Sequence, residues 1–159
     1  MEKLLNLLKE NARYTVGELA TLLNQSEDVV NAALKAYEEN GTIKRYTVVL
    51  DETKLSDIPV YALIELKVTP KKEIGFQDIA DKVMALDEVE HVYLMAGDYD
   101  LAVFVKGKSM QDVAMFVAKR LSTLESVVST STHFVLSKYK EEGVVLANSK
   151  VDPRLLSKV

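Results

Sequence analysis

His91-Val92-Tyr93-Leu94-Met95-Ala96-Gly97-Asp98-Tyr99-Asp100-Leu101-Ala102-Val103-Phe104-Val105 is the stretch that decides the fold of this chain. Residues 91–96 and 101–105 are short runs rich in β-branched and aromatic side chains, the composition of buried strands. Between them, Gly97-Asp98 predicts a tight hairpin, with the glycine supplying the positive φ that such a turn needs. Asp98, Tyr99 and Asp100 then stand at one end of a sheet, beside backbone N–H groups freed by the turn. Such a corner can receive the ammonium and carboxylate of a small zwitterion. On this segment alone, a plain hairpin is the simpler reading.

Outward from there, Val60-Tyr61-Ala62-Leu63-Ile64-Glu65-Leu66-Lys67-Val68 reads as a strand ended by Thr69-Pro70. Residues 74–86 carry Ile79, Val83 and Leu86 at helical spacing. Ser109 caps a second helix whose apolar face is Val113, Phe116, Val117, Leu121 and Leu124. Residues 127–138 alternate, with Thr130, Thr132, Phe134 and Leu136 on one side and Ser129, Ser131, His133, Val135 and Ser137 on the other. The order β-α-β-β-α-β over residues 60–140 predicts a ferredoxin-like domain, a four-stranded antiparallel sheet with both helices on one face. The other face is left bare, a surface most simply covered by a second copy of the chain. Met95, Met110 and Met115 read as core filler, His91 and His133 as structural residues, and Lys71-Lys72 as a solvated turn. Residues 141–159 form a C-terminal extension. Its Val144-Val145-Leu146 can add an edge strand, swap onto a neighbour or stay loosely ordered.

The first fifty residues have a different rhythm. Leu4, Leu5 and Leu8 make a helical stripe that breaks near Asn11. Thr15 and Glu18 form the capping-box pattern of a second helix, whose buried face is Leu19, Leu22 and Leu23. Ser26 caps a third helix with Glu27 and Asp28 in its first turn. Val30, Ala33, Leu34 and Tyr37 form its inner face, and Asn40-Gly41 ends it. Residues 43–50 read as a short β segment. Three helices with a tight break between the second and third, followed by that segment, predict a winged helix-turn-helix over residues 1–51. Residues 52–59, polar and ending in Pro59, read as a linker. The whole is an α+β chain of two domains.

Composition narrows the function. With 159 residues, 48% of them hydrophobic and 28% charged, the chain resembles an ordinary globular protein. No apolar run approaches the roughly 20 residues of a membrane span, and a cytoplasmic protein without membrane contact is expected. The absence of cysteine excludes a disulfide frame, a thiolate metal site and a cysteine nucleophile. Two histidines leave little for a metal or acid–base site, so no metal, cofactor or catalytic residue is expected. The net charge of −4 is spread evenly, and residues 1–51 hold six basic and eight acidic side chains. A free-standing nucleic-acid binder usually carries a basic face, and here it is missing.

Ala12-Arg13, Gly41-Thr42-Ile43-Lys44-Arg45-Tyr46-Thr47 and Gly97-Asp98-Tyr99-Asp100-Leu101, in that order and at those spacings, resemble the Lrp/AsnC regulators, also called feast/famine regulatory proteins. The resemblance covers residues 1 to about 140. It implies a transcriptional regulator that binds double-stranded DNA, pairs through its sheets into dimers and assembles into larger rings, often octamers. It also implies that an amino acid or related metabolite binds near the Gly-Asp-x-Asp turn. Carried onto this chain, the effector candidates are Gly97, Asp98, Tyr99 and Asp100, with Thr130, Ser131 and Thr132 on the last strand. A carboxylate pairs an ammonium, while N–H and hydroxyl groups hold a carboxylate.

The recognition helix departs from the family. Where the family usually places arginines, this chain has Ala32 and Ala33, and Lys35 is the only basic residue on the helix. DNA contacts then fall to Gln25, Ser26 and Asn31, with Lys35, and to Lys44, Arg45 and Tyr46 beyond the helix. A second reading keeps the architecture but not the DNA binding: a metabolite-binding oligomer that acts on other family members by mixed assembly. A third, a siroheme decarboxylase of similar architecture, lacks here the histidine and arginine cluster that would seat a tetrapyrrole.

Overall fold

The computed structural model describes residues 2–70 and 75–146. They fall into two compact units with the boundary after Val49. Among the described residues no helix is long and apolar enough to cross a membrane.

The first unit holds α1 (Glu2–Glu10), α2 (Val16–Leu23) and α3 (Glu27–Glu39). At the start of α2 the Thr15 hydroxyl oxygen accepts the Glu18 N–H at 3.2 Å, and the Glu18 carboxylate accepts the Thr15 N–H at 2.7 Å. This capping box satisfies N–H groups that have no partner inside the helix. α2 ends at Asn24, whose φ of 52° is left-handed, a conformation asparagine tolerates better than most residues. Ser26 caps α3 by accepting the Val29 N–H at 3.4 Å. Gly41, with φ of +73°, turns the chain out of that helix.

Leu4, Leu19, Ala20, Val30 and Ala33 are buried at the centre of this unit. Leu22 was expected with them and is instead 45% exposed. The inward stripe of α2 is Val16, Leu19, Ala20 and Leu23, the i, i+3, i+4, i+7 series. Leu22 falls on its flank. The β segment expected at residues 43–50 is also absent: the described backbone there is irregular. A strand is defined by a ladder, and this segment has no partner strand in its unit.

The second unit orders β1 (Val60–Val68), α4 (Gln77–Met84), β2 (Val89–Leu94), β3 (Leu101–Gly107), α5 (Met110–Phe116) and β4 (Val127–Phe134). α5 runs on into a π turn, Val117–Leu121. The sheet order is β2-β3-β1-β4 and every pairing is antiparallel. Ala62, Ile64, Leu66, Leu101, Val103 and Val105 bury one face against Ile79, Val83, Val113, Phe116, Val117 and Leu121 of the helices. This is the ferredoxin-like arrangement that the alternation of apolar residues predicts. The opposite face is uncovered and carries Leu63, paired with Phe104, as well as His91, Tyr93 and Glu65. His91 and Tyr93 stack at 6.0 Å, and both meet Phe104 edge-on.

Three methionines differ from expectation. Met95, Met110 and Met115 are 40, 52 and 42% exposed, because they lie in the turn or on the outer side of α5, while valines and leucines fill the core. The expected linker is tied to the second unit: Glu52–Lys54 forms a 3-10 turn and Glu52 accepts the Tyr61 phenol at 2.6 Å. In the C-terminal extension, β5 (Lys140–Glu141) and β6 (Val144–Val145) pair with each other in a small hairpin. Lys71-Lys72 and residues 147–159 lie outside the described residues.

Candidate functional site

The chain presents two candidate surfaces, one in each unit. In the first, Asn24 and Gln25 make the tight turn between α2 and α3, and the Gln25 N–H donates to the Ala20 carbonyl at 3.0 Å. The Gln25, Ser26, Asn31 and Lys35 side chains are exposed. The Ser26 oxygen is engaged as an acceptor in the cap, which leaves its O–H free to donate outward. Lys44 is exposed but folds back, its ammonium 2.8 Å from where a Cβ on Gly41 would stand. That places a positive charge at the C-terminal end of α3, where the helix dipole favours it. Arg45 is exposed. The Tyr46 phenol, by contrast, donates to Glu38 at 2.9 Å, so it braces the segment after α3 as well as facing solvent. Burial first, then the Glu38 carboxylate, raises its pKa above the ordinary 10.0.

The acid on α3 is arranged in a way the sequence does not reveal. The Glu27 carboxylate leans over α2, with Oε1 3.2 Å from the point where a Cβ on Gly17 would lie. Glu38 is held by Tyr46, and Glu39 lies 3.8 Å from the Lys35 ammonium. Asp28 and Glu27 are both exposed with no hydrogen-bond or ion-pair partner among the described residues. Of the two alanines in the family's arginine positions, Ala33 is buried in the core and only Ala32 faces out.

The second surface is the β2–β3 turn. Leu94 pairs with Leu101, so the connection is six residues long, Met95 to Asp100, and is not a tight two-residue hairpin. Gly97 does not have the positive φ expected of it; among the described glycines that conformation belongs to Gly41, Gly75 and Gly143. A longer connection can reverse direction without a left-handed residue at that point. The Met95 N–H donates to the Asp100 carbonyl at 2.8 Å and closes the loop.

Asp100 does further work in the backbone. Its N–H donates to the Leu66 carbonyl at 2.9 Å, and its Oδ2 accepts the Val68 N–H at 2.8 Å. Val68 lies at a β-bulge in the β1–β4 pairing, where the ladder loses its regular partner. Asp98 is exposed and has no partner among the described residues; Tyr99 is half-buried. Two carboxylates one residue apart thus have different duties, Asp100 committed to the sheet and Asp98 open to solvent.

The last-strand candidates do not converge as a set. Thr130 and Thr132 stand opposite Leu66 and Ile64 on the helix-packed side of the sheet. Ser131 stands opposite Glu65 on the open side, with its hydroxyl 3.2 Å from His133 Nε2. Leu66 pairs with Leu101 on one side and Thr130 on the other, so Thr130 shares the sheet end of the turn. Two strand spacings, about 10 Å, separate them.

Two clusters have no counterpart in the sequence reading. On the open face, His133 lies 3.4 Å from Glu65, next to the His91–Tyr93–Phe104 group. At Glu52, Tyr61 donates a hydrogen bond while Lys106 and Lys138 each stand 3.6 Å away, and the Lys138 ammonium sits 3.5 Å above the Tyr61 ring. The alternation along β1 could have placed Tyr61 and Glu65 on one face. Their partners come from 45 to 77 residues further along the chain or from the turn before it, which spacing does not reveal.

Comparison with known proteins matches each unit to a known domain. A family model described as the Lrp/AsnC ligand binding domain matches residues 61–145, and one described as a winged helix-turn-helix DNA-binding domain matches residues 2–44. An uncharacterized HTH-type transcriptional regulator of Bacillus subtilis, YugG, is 41% identical over 155 residues, 97% of this chain and 93% of that protein. The proline dehydrogenase transcriptional activator of Rhodobacter capsulatus is 29% identical over 147 residues, 92% of each. Among solved structures, the transcriptional regulator NMB0573 of Neisseria meningitidis, in complex with L-Met, superposes with a TM-score of 0.71 at 26% identity. The match covers 87% of this chain and 89% of that one.

Proposed function

The chain belongs to the Lrp/AsnC family of transcriptional regulators, and from that premise we propose that it reads operator DNA through α3 and senses an amino acid at the Gly97–Asp100 turn. It is a DNA-binding regulator with a ligand-binding domain. The observation that carries the DNA reading is the disposition of the α3 carboxylates. Glu27 leans over α2 and Glu38 is held by Tyr46, which leaves Gln25, Ser26 and Asn31 open to a duplex, while Lys35 has Glu39 3.8 Å away at an exposed pair that a phosphate can replace. Lys44 and Arg45 add phosphate contacts beside them.

At the turn, Asp98 pairs the effector's ammonium, while backbone N–H groups and Tyr99 receive its carboxylate. Asp100 positions the loop. The L-Met bound to the Neisseria relative supports an amino acid as the class of effector. The bare aromatic sheet face supports self-association into dimers, and by resemblance to the family the proposal extends to octamers and to the cytoplasm. Assembly multiplies three modest cations per protomer into useful avidity.

The test is fluorescence anisotropy of the full chain on labelled DNA from its own upstream region, titrated with salt and with each amino acid. Two protomers with three phosphate contacts each give a log–log salt slope of about −5. An amino acid that shifts both affinity and sedimentation completes the reading. A correctly assembled protein that binds no DNA at low salt sinks it. The arginine-free α3 favours one alternative, a co-regulator that acts on other family members through mixed assembly. That protein would bind an amino acid and a partner subunit but no duplex.

A further inference from the structure

The outward surface of α3 consists of two parallel strips. Val29, Ala32 and Ala36, spaced i, i+3 and i+7, form a narrow apolar strip; all three are exposed, Val29 by 52%. Asn31 and Lys35, spaced i and i+4, form a polar strip beside it. Neither strip is needed by the unit's core, which Val30, Ala33, Leu34 and Tyr37 supply from the opposite side of the helix. An exposed valine and alanine, Val29 and Ala32, at the N-terminal, reading half of a recognition helix are short enough to bring the helix axis close to the floor of a major groove.

The chemistry of base edges says what these strips can recognise. Guanine is read in the major groove chiefly by bidentate arginine or lysine, and α3 has no arginine. Thymine presents a C5-methyl group, which small apolar side chains contact, and adenine presents the N6/N7 pair that asparagine matches. Lys35 lies 3.8 Å from Glu39 and further along the helix, where backbone phosphate is the nearer partner. We infer that α3 reads A·T pairs, Ala32 and Val29 by contact with thymine methyls and Asn31 by hydrogen bonds to adenine. This rests on the DNA-binding reading above and adds the base class and the residues that select it.

The experiment replaces thymine by deoxyuridine, which removes the methyl and nothing else. The full-length protein selects duplexes from a random library, and single thymines in the selected core are then changed to deoxyuridine. The expected result is A·T enrichment in that core and a loss of about fourfold in affinity for each methyl that Val29 or Ala32 covers. Ala32→Arg, on an exposed helix position that accepts a long side chain, shifts the selected base from thymine toward guanine. Equal affinity for thymine and deoxyuridine duplexes, or a wild-type core centred on guanine, overturns the inference while the regulator reading stands. Failure to bind any duplex at low salt overturns both.

Discussion

The Asp100 carboxylate accepts the Val68 N–H at 2.8 Å across 32 residues of sequence. Through that bond the β2–β3 turn is fastened to the bulged end of β1. Asp100→Ala strands a part-buried N–H at the bulge and is expected to cost about 1–3 kcal/mol. Asp98→Ala, on the exposed neighbour, stays within about 0.5 kcal/mol. Urea denaturation of the two variants checks the division of labour. Effector binding, measured by calorimetry, should fall with Asp98→Ala although the fold is unharmed.

Gly107 and Gly97 are expected to respond oppositely to a methyl group. A Cβ on Gly107 would stand 2.8 Å from Val113 Cγ2, and Val113 is buried. Gly107→Ala therefore pushes α5 away from the end of β3 and costs about 1–3 kcal/mol. A Cβ on Gly97 meets nothing within 4 Å. Gly97→Ala leaves the melting temperature within a degree or two, on the order of a surface change, and any effect it has shows in ligand binding.

Glu52 gives a pH-dependent contribution to stability. Burial works to raise its pKa, but the Tyr61 hydrogen bond and the Lys138 and Lys106 ammoniums outweigh it and hold the carboxyl below the ordinary 4.5. A depressed carboxylate stabilises the fold fully above the unfolded-state value and loses that contribution as pH falls through the folded-state value. The urea midpoint of Glu52→Gln should thus lie below that of the natural chain at neutral pH. The gap should narrow as the pH drops below 4.5. A gap that is constant from neutral to acid assigns Glu52 a packing role only.

Thr15→Ala removes one half of the capping box of α2. The expected loss is about 1 kcal/mol, confined to the first unit, and Glu18→Ala should cost a similar amount. Hydrogen exchange on the α1–α3 amides, against those of the sheet, reads that confinement directly.

Legibility in the sequence followed the range of the interactions. The capping box at Thr15 and Glu18, the Ser26 and Ser109 caps and the alternation of β1 are local, and the structure places them as the spacing predicts. The ferredoxin-like order followed from those elements. The choice between Leu22 and Ala20 was missed because Leu22 is the larger apolar residue, whereas geometry decided for the i+4 partner of Val16. Asp100's bond to Val68 and the Glu52 cluster join distant segments and carry no local signal. At the turn, Gly-Asp suggested two residues where the ladder leaves six. On α3, the sequence shows four glutamates and aspartates around one lysine, but not that Glu27 leans over α2, that Glu38 is held by Tyr46 or that Glu39 pairs with the lysine itself.

β4 lies at one border of the sheet, and its run, Val-Val-Ser-Thr-Ser-Thr-His-Phe, has no proline, glycine, lysine or carboxylate to discourage a neighbour. Strand borders of this kind are where concentrated protein adds strand upon strand, and short β-prone segments without charge are those that stack into fibrils. In this regulator that border is a run of eight residues, four of which bear hydroxyls. A single lysine in place of exposed Ser129 would act as a gatekeeper there.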